Sequence, residues 1–146
     1  MTDQTTTTGS PSFDAASLEQ SSAFVAAAGL ILDEVTATQV SGHIELGADH
    51  HTPSGIVHGG VYTSAIESAA TIGASTAVKH QQMVAVGLTN TTHFLRSVTS
   101  GRVLVRAVAL NQGRTQQLWQ VNIENGVGKL IAHGEVRLQN ISPGRP

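Results

Sequence analysis

Hydrophobic and polar residues change their spacing several times along the chain, and each change marks a predicted element. Residues 13–28 have helix-forming composition, and Gly29 is well placed to end a helix. Two strand-like runs follow, at residues 30–36 and 39–46. In the second run, apolar or small residues alternate with polar ones, which is typical of a half-buried strand. The two runs together predict a β-hairpin.

The middle of the chain contains one long helical candidate. Residues 47–57 break every periodicity with Gly, Asp, two adjacent His, Pro and Gly, which indicates a loop. Residues 61–78 then consist mostly of Ala, Ser, Thr, Ile, Val and Gly. Because small side chains allow backbones to approach closely, we expect this helix to lie against a curved sheet with little solvent around it.

The remainder of the chain predicts four strands, at residues 83–95, 102–110, 115–124 and 129–140. In the third strand Trp119, Val121 and Ile123 share one face and polar residues share the other. Three turn-forming sequences predict tight reversals between adjacent strands, at residues 99–101, 111–113 and 125–126. The order of elements predicts an α+β fold in which one antiparallel sheet covers a central helix.

Composition limits the classes of function. A chain of 146 residues with 40% hydrophobic residues fits one domain, here residues 13–141 between a disordered leader (1–12) and a flexible tail (142–146). A net charge of −2 and 3% aromatic residues argue against nucleic acid as a partner. No uninterrupted apolar stretch is long enough for a membrane span, and the N-terminus lacks signal-peptide features. The absence of cysteine fits a reducing compartment, so we expect a cytoplasmic protein.

Two features of the central helix suggest chemistry. Glu67 is the only charged residue in residues 61–78, so it either faces solvent or has a function, because burying an unpaired carboxylate is costly. His58, Gly59 and Gly60 stand just before that segment. They fit a turn with a surface histidine, but glycines at a helix start also expose amide N–H groups that favour a developing negative charge.

The spacing of these two features limits how they can act together. Gly59 and Glu67 are eight residues apart, which along a helix is about 12 Å. Within a single chain, the amide of Gly59 and the carboxylate of Glu67 therefore cannot both contact the same carbonyl group. If both are catalytic, the glycine amide and the glutamate come from different subunits of a symmetric dimer with antiparallel helices.

The stretch from Thr52 to Gly60, with Glu67 nine residues after His58 and Thr71 one turn further, resembles a known family. It is similar to the hotdog-fold acyl-CoA thioesterases of the PaaI-like and 4-hydroxybenzoyl-CoA thioesterase group. The resemblance covers about residues 29–140. It implies hydrolysis of an acyl-CoA by a homodimer or a dimer of dimers. The motif does not identify the acyl group, and aromatic and medium-chain groups both stay open. No metal or organic cofactor is implied, since coenzyme A is part of the substrate.

The resemblance also implies roles for individual residues. The Gly59 amide polarises the thioester carbonyl, and the partner subunit's Glu67 is the nucleophile or the general base for water. Thr71 orients the water or the carboxylate. His58 braces the loop and can hydrogen-bond near the thioester oxygen.

The implied substrate-binding residues are Thr52, Gly60, His93 and Arg96. Guanidinium groups suit phosphate oxygens, which makes Arg96, and also Arg102 or Arg106, candidate partners for the phosphates of coenzyme A. At position 52 the family usually has Asn or Gln, so the threonine is a departure that His51 beside it would compensate in part. Because threonine lacks a side-chain amide, the sequence leaves open a site with weakened catalysis.

Two other functions and a metal site are alternative interpretations of these residues. The first alternative is a non-catalytic acyl-CoA binder. The second is a hotdog-fold hydratase or dehydratase, because residues 93–98 (HFLRSV) weakly resemble the His-Phe-Pro element of the dehydratases, although they lack its prolines. His50, His51 and His58 share one loop, but no helical His-Glu-x-x-His spacing occurs and thiolates are absent. We therefore predict no metal.

Overall fold

The predicted alternation of helices and strands is present in the computed structural model, which describes residues 22–144. In chain order the elements are α1 (Ala23–Ala28), β1 (Ile31–Val35), β2 (Gln39–Leu46), a 3-10 helix (Ala48–His50), α2 (Gly59–Val78), a second 3-10 helix (Lys79–Gln81), β3 (Val84–Phe94), β4 (Gly101–Gln112), β5 (Gln116–Asn125) and β6 (Leu130–Ile141). The α+β prediction is confirmed. The predicted leader (1–12), most of the helix predicted at 13–28, and the last two residues of the tail lie outside the described residues.

The six strands form one antiparallel sheet that wraps around α2, the arrangement expected of a hotdog fold. The strand order is β1-β2-β4-β5-β6-β3. On β5, Trp119, Val121 and Ile123 are fully buried, which confirms their predicted common face. Within residues 22–144 no helix is long and apolar enough to cross a membrane.

One predicted turn does not join neighbouring strands. Residues 99–101 were expected to link adjacent strands, but β3 pairs with β6 at the sheet edge, whereas β4 lies between β2 and β5. The connection instead crosses the end of the sheet, where Val98 accepts a hydrogen bond from the amide of Val57. Turn residues indicate a local reversal and not which strand lies beside the next. The turns at 111–113 and 125–126 do connect sheet neighbours, as predicted.

Both helices are capped by the residues that flank them. α1 begins after Ser22, whose Oγ accepts a hydrogen bond from the amide of Val25, and ends at Gly29, as predicted. Gly29 has φ 77°, a left-handed conformation that glycine adopts without strain. α2 begins at Gly59, two residues earlier than predicted, because the side chain of His58 supplies the N-cap.

The C-terminal half of α2 is held against the sheet by close contact and by a buried amide. A Cβ on Gly73 would lie 2.4 Å from Cη2 of Trp119, so only glycine allows the helix this close. Gln117, itself buried, donates to the carbonyl of Ala74 and to Oδ1 of Asn140, and accepts from Nε1 of Trp119. Because these polar groups are all paired, the amide fixes the helix without a desolvation penalty.

Tyr62 is an exception to this pairing near the start of α2. Its side chain is buried, and its hydroxyl has no hydrogen-bond partner among the described residues. Burial raises the pKa of the Tyr62 phenol above its usual value, so the group stays neutral at physiological pH. It therefore acts as packing beneath Phe94, whose ring centroid is 6.4 Å away.

The contact between Gly73 and Trp119 generates a stability prediction. In Gly73→Ala the new methyl group meets a fully buried indole that cannot move aside, so we expect a loss of about 1–3 kcal/mol from overpacking. Gly126→Ala is the matched control, because a Cβ there has no neighbour within 4 Å. Urea unfolding at one fixed protein concentration measures both. An equal change in the two variants would contradict the role assigned to Gly73.

Candidate active site

A groove of about 600 Å³ lies beside the start of α2. One wall is the loop before α2, and the other is the end of β3 with the connection that follows it. The groove brings together five of the predicted site residues: Thr52, His58, Gly59, Gly60 and Arg96.

His58 organises the first turn of α2. Its backbone is extended, and its Nδ1 accepts a hydrogen bond from the amide of Gly60 at 2.8 Å. The neutral ring therefore carries its proton on Nε2. A Cβ on Gly60 would lie 2.8 Å from that same Nδ1, so the second glycine leaves room for the cap.

Gly59 presents an unpaired amide at the positive end of the helix. Its N–H is the first of α2 and so has no acceptor within the helix. A Cβ on Gly59 would lie 2.8 Å from Cζ of Phe94, whose ring also lines the groove although the residue is 57% exposed. The arrangement allows a carbonyl oxygen to approach the amide alongside an aromatic wall.

Glu67 lies above the edge strand β3. Its Oε2 accepts a hydrogen bond from Nδ2 of Asn90 at 3.3 Å, and Asn90 is oriented by two further bonds, to the carbonyl of Thr63 at 3.1 Å and from the hydroxyl of Thr92 at 2.8 Å. A Cβ on Gly87 would lie 2.8 Å from Oε1 of Glu67. The glycine thus leaves the space that the carboxylate occupies, and the side chain is exposed rather than paired with a cation.

The groove and the carboxylate are separate within one chain. Glu67 does not line the groove, and about 12 Å of helix divides it from Gly59. Thr71 is half-buried one turn after Glu67. His93 projects from the sheet face opposite α2, since it alternates with Thr92 and Phe94, and its ring stacks 6.4 Å from that of His133.

The histidines of the loop before α2 have structural partners. His50 uses Nδ1 to accept from the amide of Gly47, and its Nε2 lies 3.2 Å from the carbonyl of Ala27. Nε2 of His51 lies 2.6 Å from the carbonyl of Thr99, so this nitrogen is engaged and does not supply the compensation for Thr52 expected from the sequence. Across residues 22–144, no three His, Asp or Glu side chains come together in a group that could hold a metal ion.

Sequence reasoning missed three residues of the site: Gly87, Asn90 and Phe94. Alternation along β3 was the available signal for Asn90 and Phe94, because it places them on one face with Thr92. Gly87 carries no such signal, since the bulge beside it shifts the register of β3 against β6.

Comparisons with known proteins identify the family of this chain. Residues 54–132 match the family model described as the thioesterase superfamily, which is more than half of the chain. The chain belongs to the thioesterase superfamily. The matched residues contain the start of α2, Glu67, and the whole of β3.

Individual relatives are more specific. The chain is 43% identical over 90 residues to Rv1847/MT1895 of Mycobacterium tuberculosis, whose name describes it provisionally as an esterase, and the match covers 60% of this chain and 64% of that protein. The solved structure of Rv1847/MT1895 has a TM-score of 0.79 at 36% identity and covers 84% of this chain and 98% of that one. A thioesterase of Haemophilus influenzae, HI1161, has a TM-score of 0.81 at 26% identity, covering 93% and 96%.

A relative with a named substrate is the 1,4-dihydroxy-2-naphthoyl-CoA hydrolase of Listeria monocytogenes, 35% identical over 81 residues. That match covers 56% of this chain and 65% of the hydrolase. The matches to the Mycobacterium and Listeria relatives each cover somewhat less than two thirds of the relative's own length.

The His58 cap generates a prediction. His58→Ala removes the acceptor for the Gly60 amide and should destabilise the chain by about 1 kcal/mol, as lost N-caps do. His58→Asn should restore most of that stability, because Asn is a preferred N-cap residue. Urea unfolding compares the variants. If the His58→Asn and His58→Ala variants were equally destabilised, the assignment of His58 as the N-cap would be wrong.

Proposed function

We propose that this chain is an acyl-CoA thioesterase whose active sites are each shared between two subunits. The observation that carries the proposal is the placement of Gly59 and Glu67 on one rigid helix. Gly59 offers an unpaired amide to a groove, whereas the Glu67 carboxylate is exposed, anchored by Asn90, and outside that groove. Each half of the site therefore needs the complementary half from a second copy.

The chemistry follows from the two halves. The thioester carbonyl oxygen accepts a hydrogen bond from the Gly59 N–H, which stabilises the negative charge that develops there. The partner subunit's Glu67 either takes a proton from the attacking water or adds to the carbonyl itself, in which case water later hydrolyses the anhydride. By either route the C–S bond breaks, the sulfur leaves as the coenzyme A thiol, and one water is consumed.

The two edges of the sheet differ in a way that supports this pairing. β3 is eleven residues long, has a free outer edge, and exposes Val86 and Leu88. The opposite edge strand, β1, is only five residues long and carries Asp33 and Glu34, which discourage edge-to-edge pairing. β3 is therefore the edge on which we place the second copy.

The position of the two-fold axis follows from the same strand. Gly59 lies against Phe94, at the end of β3, whereas Glu67 lies above Gly87 and Asn90. If β3 pairs antiparallel with its copy about an axis near Thr91, Phe94 of one chain stands opposite Leu88 of the other. That pairing brings Gly59 toward the partner subunit's Glu67.

The groove suits a thioester with an aromatic acyl group. Phe94, Leu95 and Ile56 line it with exposed apolar surface, and Arg96 stands at its rim as a partner for phosphate. The Listeria relative named for 1,4-dihydroxy-2-naphthoyl-CoA supports this class of substrate. Thr71 orients the carboxylate or the water. A role for His93 near the thioester stays a prediction, and within one chain its side chain lies on the sheet face opposite α2, outside the groove.

A non-catalytic acyl-CoA binder is the second candidate, and Thr52 favours it. Thr52 lines the groove, but its hydroxyl accepts a hydrogen bond from the amide of Ser54 at 3.2 Å within its own turn. Thr52 therefore has less hydrogen-bonding capacity left for the substrate than the side-chain amide of Asn or Gln would have.

Release of free thiol from a panel of aromatic and straight-chain acyl-CoAs tests the function. We expect hydrolysis of aromatic acyl-CoAs by the wild-type chain, and a loss of more than about tenfold in kcat for Glu67→Gln, because its amide cannot accept a proton or attack. Glu135→Gln, an exposed change on β6, is the control and should keep full activity. A wild-type chain that bound acyl-CoA without releasing thiol would be a binder, and loss of an enoyl absorbance without thiol release would indicate a hydratase.

Subunit complementation tests the shared site. A heterodimer of Glu67→Gln and Gly59→Leu chains, isolated with two different affinity tags, contains one intact composite site and one doubly altered site. We expect about half of the wild-type turnover from it, although each homodimer is inactive. If each site came from a single chain, the heterodimer would be as inactive as its parents, and the shared-site proposal would be wrong.

A further inference from the structure

The two walls of the groove are joined by a small number of hydrogen bonds. Nε2 of His51 lies 2.6 Å from the carbonyl oxygen of Thr99, a short distance for a bond of this kind. The amide of Val57 donates to the carbonyl of Val98 at 2.9 Å. Both bonds run from the loop before α2 to the connection between β3 and β4.

These bonds lie just behind the residues that line the groove. On the loop, Thr52 follows His51 directly and belongs to the lining. On the connection, Arg96 and Ser97 belong to the lining and Thr99 lies two residues further. The side chain of His51 itself is half-buried and does not line the groove.

We propose that His51 is a positioning residue that fixes the width of the coenzyme A end of the groove. The inference rests on the proposed thioesterase function and extends it to a residue that does not line the groove. Because the Nε2–H of His51 is the side-chain link between the two walls, it holds Arg96 at a set distance from Thr52. The bond joins segments 48 residues apart in sequence, so it restrains two walls that the local backbone does not hold together.

Coenzyme A recognition should depend on the bond between His51 and Thr99, whereas the chemistry at the thioester should not. Gly59 is anchored by α2 and its His58 cap, and Glu67 by Asn90, so neither depends on the bond to Thr99. Loss of that bond should loosen the walls and leave the reacting groups in place. The expected effect is a rise in KM with little change in kcat.

Three substitutions at position 51 test the geometry. His51→Leu removes the donor, and we expect its KM for an aromatic acyl-CoA to rise on the order of tenfold with kcat within about twofold of wild type. His51→Gln places an amide N–H the same number of bonds from Cβ as Nε2 and should restore the wild-type KM. His51→Asn carries its amide one bond too short and should behave like His51→Leu.

A truncated substrate and a neighbouring histidine supply the controls. For the N-acetylcysteamine thioester of the same acid, which lacks the nucleotide and most of the pantetheine arm, all three variants should match wild type in kcat/KM. His50→Leu cuts the bonds of the same loop to Gly47 and Ala27, so it should lower stability and leave the KM for acyl-CoA unchanged.

Calorimetric titration with free coenzyme A keeps the test independent of hydrolysis. His51→Leu should weaken coenzyme A binding on the order of tenfold and His51→Gln should not. An unchanged Kd and KM in His51→Leu, an equal effect on the truncated thioester, or a failure of Gln to differ from Asn would each overturn the proposal. Failure of the thioesterase function itself would appear differently, as a wild-type chain that binds coenzyme A and releases no thiol from any acyl-CoA.

Discussion

The close approach of α2 to the sheet is the constraint on which the rest of the structure depends. The helix lies so near the strands that a Cβ at Gly73 would collide with Trp119, and a Cβ at Gly134 would lie 2.9 Å from Ile66. The small residues of α2 are thus a condition for wrapping one sheet around one helix. The same closeness sets the position of α2 over the sheet, with the carboxylate of Glu67 beside Gly87 and Asn90 of β3.

A helix held this rigidly cannot bring its own two functional groups together. Gly59 and Glu67 belong to one continuous helix and are about 12 Å apart along it. Glycines at Gly59, Gly60 and Gly87 each leave room for another side chain: Phe94, His58 and Glu67 respectively. In the proposed thioesterase these are two half-sites of one chain, and an active site shared between two subunits would use both halves.

Most of the fold could be predicted from the sequence because the pattern that defines each element is local. The face shared by Trp119, Val121 and Ile123 depends on alternation alone, and the end of α1 on Gly29. The strand order could not be predicted, because the position of β3 beyond β6 depends on contacts between distant segments. In the site, Gly59 and Glu67 were recognisable by residue type, whereas Asn90 and Phe94 become meaningful only once β3 lies beside α2.

The fold sets some parts of the candidate site more firmly than others. The Gly59 amide is set by the packing of α2, and the Glu67 carboxylate by its bond to Asn90, so both are positioned by the body of the fold. The groove walls are a loop and a connection, which tolerate substitution because few of their side chains are buried. For the proposed thioesterase, substrate preference should therefore depend on positions such as Thr52, Ile56 and Leu95, which line the groove and lie outside the core.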